Sequence, residues 1–165
     1  MLNIERINNN HLDYVTQMLI DLKTENFSLN STIFNKKRIK LKSFQEIKKL
    51  IADKISKNYF WYVLKENENI VGYIFWYEYV DEMENDIYEN VQYKIWVVDN
   101  LYLYPSFRNN WNWTKLMNKI TEDFQKGKCE IIELTTNAHS IWEKFYKKLW
   151  FQDASILLCK NVSNH

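Results

Sequence analysis

The stretch from Val98 to Met117 has the residue pattern most suited to chemistry. An apolar strand-like run is followed by a polar segment that opens at Arg108, and a helical pattern follows it. The first N–H groups of a helix have no partner inside the helix, and the helix dipole is positive at that end. A loop that turns into a helix N-terminus therefore predicts an anion-binding site.

Histidine and cysteine are too scattered to predict other chemistry. His11, His139 and His165 have no metal-ligand spacing to Cys129, Cys159 or paired acids, so we expect no metal site. The two cysteines form no disulfide framework and are interpreted as small apolar strand residues.

Hydrophobic periodicity predicts the elements that position the Arg108 segment. The predicted order is β-α-α-β-β-β-α-β-α-β. Strands are expected over 2–7, 59–65, 70–80, 91–104, 129–135 and 151–159, and helices over 11–22, 43–55, 114–124 and 139–149. The segment 26–41 is interpreted as a loop.

Local signals refine these elements. Asn10 is a candidate N-cap for the first helix, and Ser43 with Glu46 fits a capping box for the second. Asp99 and Asn100 interrupt the apolar run of 91–104, which predicts a strand irregularity, and Pro105 should end that strand.

Composition limits the class of protein. The chain has 165 residues, 46% hydrophobic and 26% charged, with a formal net charge of +1. These values exclude intrinsic disorder and argue against a nucleic-acid binder. Neither a signal-peptide core nor a long apolar run is seen, so we expect a cytoplasmic protein that does not contact a membrane. One domain over 1–165 is expected.

Two motifs of the chain resemble those of the GNAT family of acyl-CoA-dependent N-acetyltransferases. That family has a strand ending D-x-L-Y-V, then P-x-x-R/Q-x-x-G-x-G/A and a helix, and later F-Y-x-x-x-G-F. The matching residues here are Asp99, Leu101, Tyr102, Leu103, Pro105, Arg108, Phe145, Tyr146 and Phe151. The element order agrees with the family fold over nearly the whole chain.

The resemblance implies a fold and an activity. The fold would be α/β (α+β), with a mixed, mostly antiparallel sheet of six to seven strands flanked by about four helices. The activity would be transfer of an acetyl group from acetyl-CoA, a co-substrate, to an amine, without a metal. Two alternatives stay open: a non-catalytic GNAT-like binding domain, and a protein N-terminal acetyltransferase.

The resemblance also implies where acetyl-CoA would bind. Two neighbouring strands would splay apart, and backbone groups of Leu101, Tyr102 and Leu103 would contact the acetyl carbonyl and the pantetheine arm. The residues that would wrap the pyrophosphate are Arg108, Asn109, Asn110, Trp111, Asn112, Trp113 and Thr114. Asn137 would either hydrogen-bond the pantetheine arm or cap a helix.

Two side chains are candidates for proton transfer. Asp99 would be the general base for the attacking amine, or it would only order the strand irregularity, and Glu133 is a second candidate base. Tyr146 would be the acid for the departing thiolate, or it would only pack in an aromatic helix face.

The departures from the family pattern fall on glycine. The chain has 2 Gly and 7 Trp, and Trp111, Trp113 and Trp150 occupy family glycine positions. Glycine allows close backbone approach or a positive φ, and indoles in the loop should fill the phosphate space. Either the domain has decayed, or a UGA codon read as Gly in one variant code has been decoded as Trp.

Charge is segregated along the chain. Residues 66–90 contain eight acids and no Lys or Arg, and residues 36–57 contain nine Lys or Arg. The acidic stretch would attract a cationic acceptor, or it is a solvated sheet edge. The basic stretch would meet CoA phosphates, or it is a solvated helix face. The expected partners are acetyl-CoA and an amine, with homodimer formation left open.

Overall fold

The computed structural model describes residues 2–29, 40–57, 59–83, 91–108, 110–135 and 141–153. The helices are α1 (Leu12–Leu29), α2 (Phe44–Ser56), α3 (Asn110–Lys126) and α4 (Ile141–Lys148). The strands are β1 (Leu2–Arg6), β2 (Phe60–Glu66), β3 (Asn69–Met83), β4 (Val91–Leu103) and β5 (Ile131–Leu134). None of the described helices is both long enough and apolar enough to cross a membrane.

The described strands form one sheet in the order β1-β2-β3-β4-β5. The first three neighbouring pairs are antiparallel, and β4 pairs with β5 in parallel. The predicted mixed, mostly antiparallel α/β fold is therefore confirmed. The sheet has five strands over the described residues rather than six to seven, and most of the predicted strand 151–159 lies outside them.

Helices cover both faces of the sheet because its central strands bury both sets of alternate side chains. On β3, Tyr73 and Phe75 join the core on the α1 and α2 side. Ile74 and Trp76 join the core on the other side, where residues of α3 and α4 pack. Successive strand side chains point to opposite faces, so this continuous apolar run is buried on both sides.

The beginning of α1 differs from the prediction. A 3₁₀ turn over Asn9–His11 precedes the helix, and its N-cap is Asn8 rather than Asn10. The Asn10 N–H donates to Asn8 Oδ1 over 3.0 Å, and the Asn8 N–H donates to His11 Nδ1 over 3.3 Å. At the other end α1 runs to Leu29, so the predicted loop over 26–41 is wrong in its first residues, and 30–39 lie outside the described residues.

The capping box predicted for α2 is confirmed. Ser43 accepts from the Glu46 N–H, and the Glu46 carboxylate accepts from the Ser43 N–H over 2.8 Å. These two bonds satisfy N–H groups that the first helical turn would otherwise leave unpaired. The Ser43 hydroxyl also donates to Glu46 Oε2 over 2.6 Å, and the pKa of Glu46 is lowered first by this bond and then by the one from the Ser43 N–H.

The predicted irregularity in β4 is a β-bulge at Asp99. Phe75 pairs with Asn100 and Trp76 pairs with Val98, so Asp99 is an extra residue with no partner on β3. A bulge of this kind re-aims the side chain that it carries. The strand ends at Leu103, one residue before the predicted end at 104, and Pro105 begins a 3₁₀ turn over Pro105–Phe107.

Helix α3 begins at Asn110, four residues before the predicted start at 114. The apolar stripe explains the difference, because Trp113 extends the buried series of Leu116, Met117 and Ile120 by one turn. The segment predicted to wrap a pyrophosphate is therefore a short connection followed by the first turn of a helix.

Candidate active site

Strands β4 and β5 separate in the middle of β4. They pair over Ile95–Val98 and Ile131–Leu134, whereas β4 continues to Leu103. Within the described residues, β5 does not accompany the last part of β4, and we call the edge from Asp99 to Leu103, beyond the paired part, the groove between β4 and β5. The Asp99 bulge lies at the point of separation.

A cavity of about 270 Å³ opens at this point on the α1 and α2 side of the sheet. Its polar walls come from three strands: Tyr77 and Tyr79 on β3, Asp99 on β4, and Glu133 on β5. The cross-strand row Tyr77–Val97–Glu133 explains the arrangement, because these residues are paired neighbours on one face. The structure thus brings the two candidate bases, Asp99 and Glu133, into one cavity.

Donors and cations surround the Asp99 carboxylate. Asn100 Nδ2 donates to Asp99 Oδ2 over 2.7 Å, and Lys54 Nζ of α2 lies 3.9 Å from the same oxygen. Lys23 Nζ of α1 donates to Asn100 Oδ1 over 3.0 Å and so fixes that amide. The sequence did not identify Lys23 or Lys54, because nothing in a helix pattern distinguishes them from other exposed lysines.

Tyr146 lies on the opposite side of the sheet from this cavity. Its ring packs against Phe145 and Phe151 of the α3 and α4 core, with centroids 5.3 and 5.7 Å away. Burial raises the pKa of Tyr146 to about 12, so the phenol keeps its proton at neutral pH. The carboxylate of Asp99 and the protonated phenol of Tyr146 therefore lie on opposite faces of the sheet.

Arg108 is bound to the protein itself. Its Nε donates to the Leu103 carbonyl over 2.8 Å, and its Nη2 donates to both carboxylate oxygens of Glu25 over 2.7 and 2.8 Å. The guanidinium carbon also lies 5.1 Å from the centre of the Tyr102 ring. The guanidinium thus anchors the connection to α1, and the groups suited to a phosphate are the backbone N–H groups of α3.

The three tryptophans at family glycine positions have different environments. Trp111 is 74% exposed in the first turn of α3, and Trp113 is 5% exposed against the Phe145 ring. The prediction that both indoles fill the phosphate space is therefore wrong for Trp113, since its side chain is in the core. Trp150 is 92% exposed and has a φ of 70°.

The remaining predicted residues are placed as follows. Asn112 Nδ2 donates to the Phe107 carbonyl over 3.0 Å and fixes the turn before α3. Asn110 and Thr114 lie in the first turns of α3, and Leu101 packs against the same core as Tyr146. Asn109 and Asn137 lie outside the described residues.

The other reactive residue types have structural contacts. His11 Nε2 lies 3.0 Å from Glu5 Oε1, and burial raises the pKa of the Cys129 thiol. Within the described ranges, no group of three or more His, Cys, Asp or Glu is placed to hold a metal ion.

The model of the acetyltransferase (GNAT) family matches residues 19–151. The chain belongs to this family. Its fold is similar to that of a protein described as a possible acetyltransferase from Clostridium difficile 630, with a TM-score of 0.73 and 13% identity over 100% of this chain and 99% of that one.

Two further solved structures of similar fold contain CoA compounds. A "predicted acetyltransferase" from Clostridium acetobutylicum with acetyl-CoA has a TM-score of 0.65 and 16% identity, covering 100% of this chain and 99% of that one. Aminoglycoside N-acetyltransferase AAC(6')-Iy with CoA has a TM-score of 0.71 and 11% identity, covering 99% and 95%. The search of curated proteins returned no match.

Proposed function

We propose that this protein is an acetyl-CoA-dependent N-acetyltransferase that acetylates a primary amine of a small molecule or peptide by direct attack in a ternary complex. The observation that carries the proposal is the groove between β4 and β5, with the Asp99 bulge at its start. The GNAT membership and the CoA compounds in similar structures support it.

The residues along the groove fit acetyl-CoA, which supplies an acyl thioester when bound. The edge of β4 at Leu101 and Tyr102 offers backbone groups that an extended pantetheine arm can pair with, as a strand would. The first N–H groups of α3 would hold the pyrophosphate. Trp111 does not oppose this, since its side chain lies largely in solvent.

Asp99 would accept the proton of the amine. An alkylamine has a pKa of about 10 and is protonated at neutral pH, so a proton must leave before the nitrogen can attack. The Asn100 amide and the Lys54 ammonium lie against one oxygen of this carboxylate, Oδ2, and would hold it in position. Lys54 also disfavours a second positive charge beside it and so favours the neutral amine.

Tyr146 would supply a proton to the sulfur atom that leaves as the new amide bond forms. Its phenol is protonated at neutral pH, and it lies on the opposite face of the sheet from the Asp99 cavity. The C–N bond forms as the C–S bond breaks, and the ammonium loses two protons in becoming the amide N–H. Asp99 would accept the first, and the second would replace the proton that Tyr146 gives to the sulfur, so the net products are the amide, the free thiol of CoA and one proton.

Two measurements test this function. Calorimetric titration should show micromolar binding of acetyl-CoA, and a thiol-release assay with primary amines should show turnover. Asp99→Asn should lower kcat by about 100-fold, the usual size of a general-base effect, and leave acetyl-CoA binding unchanged. The matched control is Asp13→Asn, which changes an exposed carboxylate paired with Lys48 on α2.

Two results would contradict this proposal in different ways. Failure to bind acetyl-CoA would reject the enzyme and favour the non-catalytic binding domain. Full activity of Asp99→Asn would leave the enzyme standing and remove Asp99 as its base.

A further inference from the structure

The cavity beside Asp99 has a second carboxylate that the proposed reaction does not use. Glu133 is exposed on β5, and its Oε2 accepts from the Tyr79 hydroxyl over 3.0 Å. Glu133 pairs with Val97 of the neighbouring strand β4, and Val97 lies two residues before Asp99. At ordinary sheet spacing these offsets place the two Cα atoms about 8 Å apart.

A row of aromatic rings extends from the side of Asp99 to Glu133. Tyr59, Phe75, Tyr77 and Tyr79 form a ladder whose successive ring centroids lie 5.6 to 6.5 Å apart. The pKa of Tyr77 is raised, first by burial and then by the charges of Asp99 and Glu133, so both carboxylates lie close enough to act on its phenol. The faces of such rings attract cations.

The ladder already holds one ammonium group. Lys54 Nζ lies 4.7 Å from the Phe75 centroid, 5.5 Å from the Tyr59 centroid and 3.9 Å from Asp99 Oδ2. Tyr77, Tyr79 and Glu133 repeat this combination of ring faces and a carboxylate at the other end of the ladder, where they line the cavity. Because Lys54 repels a cation beside Asp99, a charged amine is favoured at Glu133.

From this geometry we infer that the acceptor carries at least two amino groups, one reacting as the neutral amine beside Asp99 and the other bound as an ammonium ion by Tyr77, Tyr79 and Glu133. The inference rests on the proposed function and names its substrate class. The ammonium would donate to the Glu133 carboxylate and lie against the tyrosine rings. Linear polyamines and aminoglycosides share this chemistry.

A matched pair of substrates tests the inference. With saturating acetyl-CoA, diaminobutane should have a kcat/KM at least about tenfold above that of aminobutane, the size expected for one charge-assisted hydrogen bond. Spermidine, as a linear polyamine, and neamine, as an aminoglycoside, are then compared as acceptors. The better substrate of the two identifies the class of compound that supplies the second amine.

A variant locates the effect. Glu133→Gln should raise the KM for diaminobutane about tenfold and leave the KM for aminobutane unchanged. The control Glu122→Gln makes the same chemical change on the exposed face of α3 and should alter neither value. Titration of diaminobutane into the protein should show the same loss of affinity in Glu133→Gln without any reaction.

The outcomes that reject the inference differ from those that reject the function. Acetylation of aminobutane at the same kcat/KM as diaminobutane, or equal losses for both in Glu133→Gln, rejects the dibasic acceptor and leaves the acetyltransferase intact. Absence of acetyl-CoA binding, or of turnover with every amine, rejects both.

Discussion

At the scale of single residues, Tyr146 bears both on the stability of the folded protein and on the proposed proton transfer. Its phenol is buried among Phe145 and Phe151, and the raised pKa follows from that burial. A pKa of about 12 keeps the phenol protonated throughout the neutral range, and it also makes the phenol a weaker acid than an exposed tyrosine, whose pKa is about 10. The same packing also makes the folded state sensitive to alkali.

The alkaline stability of Tyr146→Phe tests this placement. The folded pKa of about 12 lies above the unfolded value of 10.0, so the unfolded chain loses this proton first as the pH rises. The contribution is present below pH 10 and is lost towards pH 12, up to about 3 kcal/mol. Urea unfolding over this range should show a shallower decline in Tyr146→Phe than in the parent. Identical slopes would contradict the burial of the hydroxyl.

At the scale of elements, the end of α4 shows why the family pattern has glycine at position 150. The Trp150 N–H donates to the Lys147 carbonyl over 3.2 Å, and the Phe151 N–H donates to the Tyr146 carbonyl over 3.2 Å. These two bonds form a Schellman motif, whose C′ residue adopts the left-handed conformation. Trp150 adopts it with a φ of 70°, at a steric cost of about 1–2 kcal/mol.

Two Trp→Gly variants should therefore act in opposite directions. Trp150→Gly should raise the free energy of unfolding by about 1 kcal/mol, since it relieves the left-handed strain and removes an indole that is 92% exposed. Trp111→Gly removes a similarly exposed indole from a helical turn and should cost up to about 1 kcal/mol. Urea unfolding measures both, and a shift of the same sign in the two variants would contradict the backbone argument.

The Schellman geometry also bears on why the sequence has tryptophan at family glycine positions. This backbone conformation favours glycine at position 150, which agrees with the hypothesis that a Gly codon was decoded as Trp. That hypothesis predicts that the protein purified from its own cells has a lower intact mass than the sequence with tryptophan. Decay of the domain predicts the mass of the printed sequence.

At the scale of the whole molecule, Trp113 couples α3 to α4 through the core beneath the groove. It is 5% exposed and its ring centroid lies 6.4 Å from that of Phe145. Trp113→Gly should lower the free energy of unfolding by about 3–5 kcal/mol, because it leaves a cavity in a packed core. Thermal unfolding against Trp111→Gly as control measures this, and an unchanged midpoint would place the indole outside the core.

The helices, the strands and one edge of the site could be predicted from the sequence. Alternating and 3.6-residue patterns act over neighbouring residues, so they predicted four helices, the hairpin of β2 and β3, and the capping box at Ser43. Asp99 and Asn100 interrupt an apolar run, which predicted an irregularity where the structure has the bulge. Cap placement was less certain, since Asn8, Asn9 and Asn10 are equivalent by residue type.

The sequence by itself thus determined the fold class, the strand irregularity at Asp99, and the resemblance to the GNAT family. Only the tertiary structure brought Tyr77, Tyr79 and Glu133 into one cavity and paired Arg108 with Glu25. The physical reason is sequence distance: these contacts join residues from different elements through sheet register and helix docking. A local pattern does not encode them.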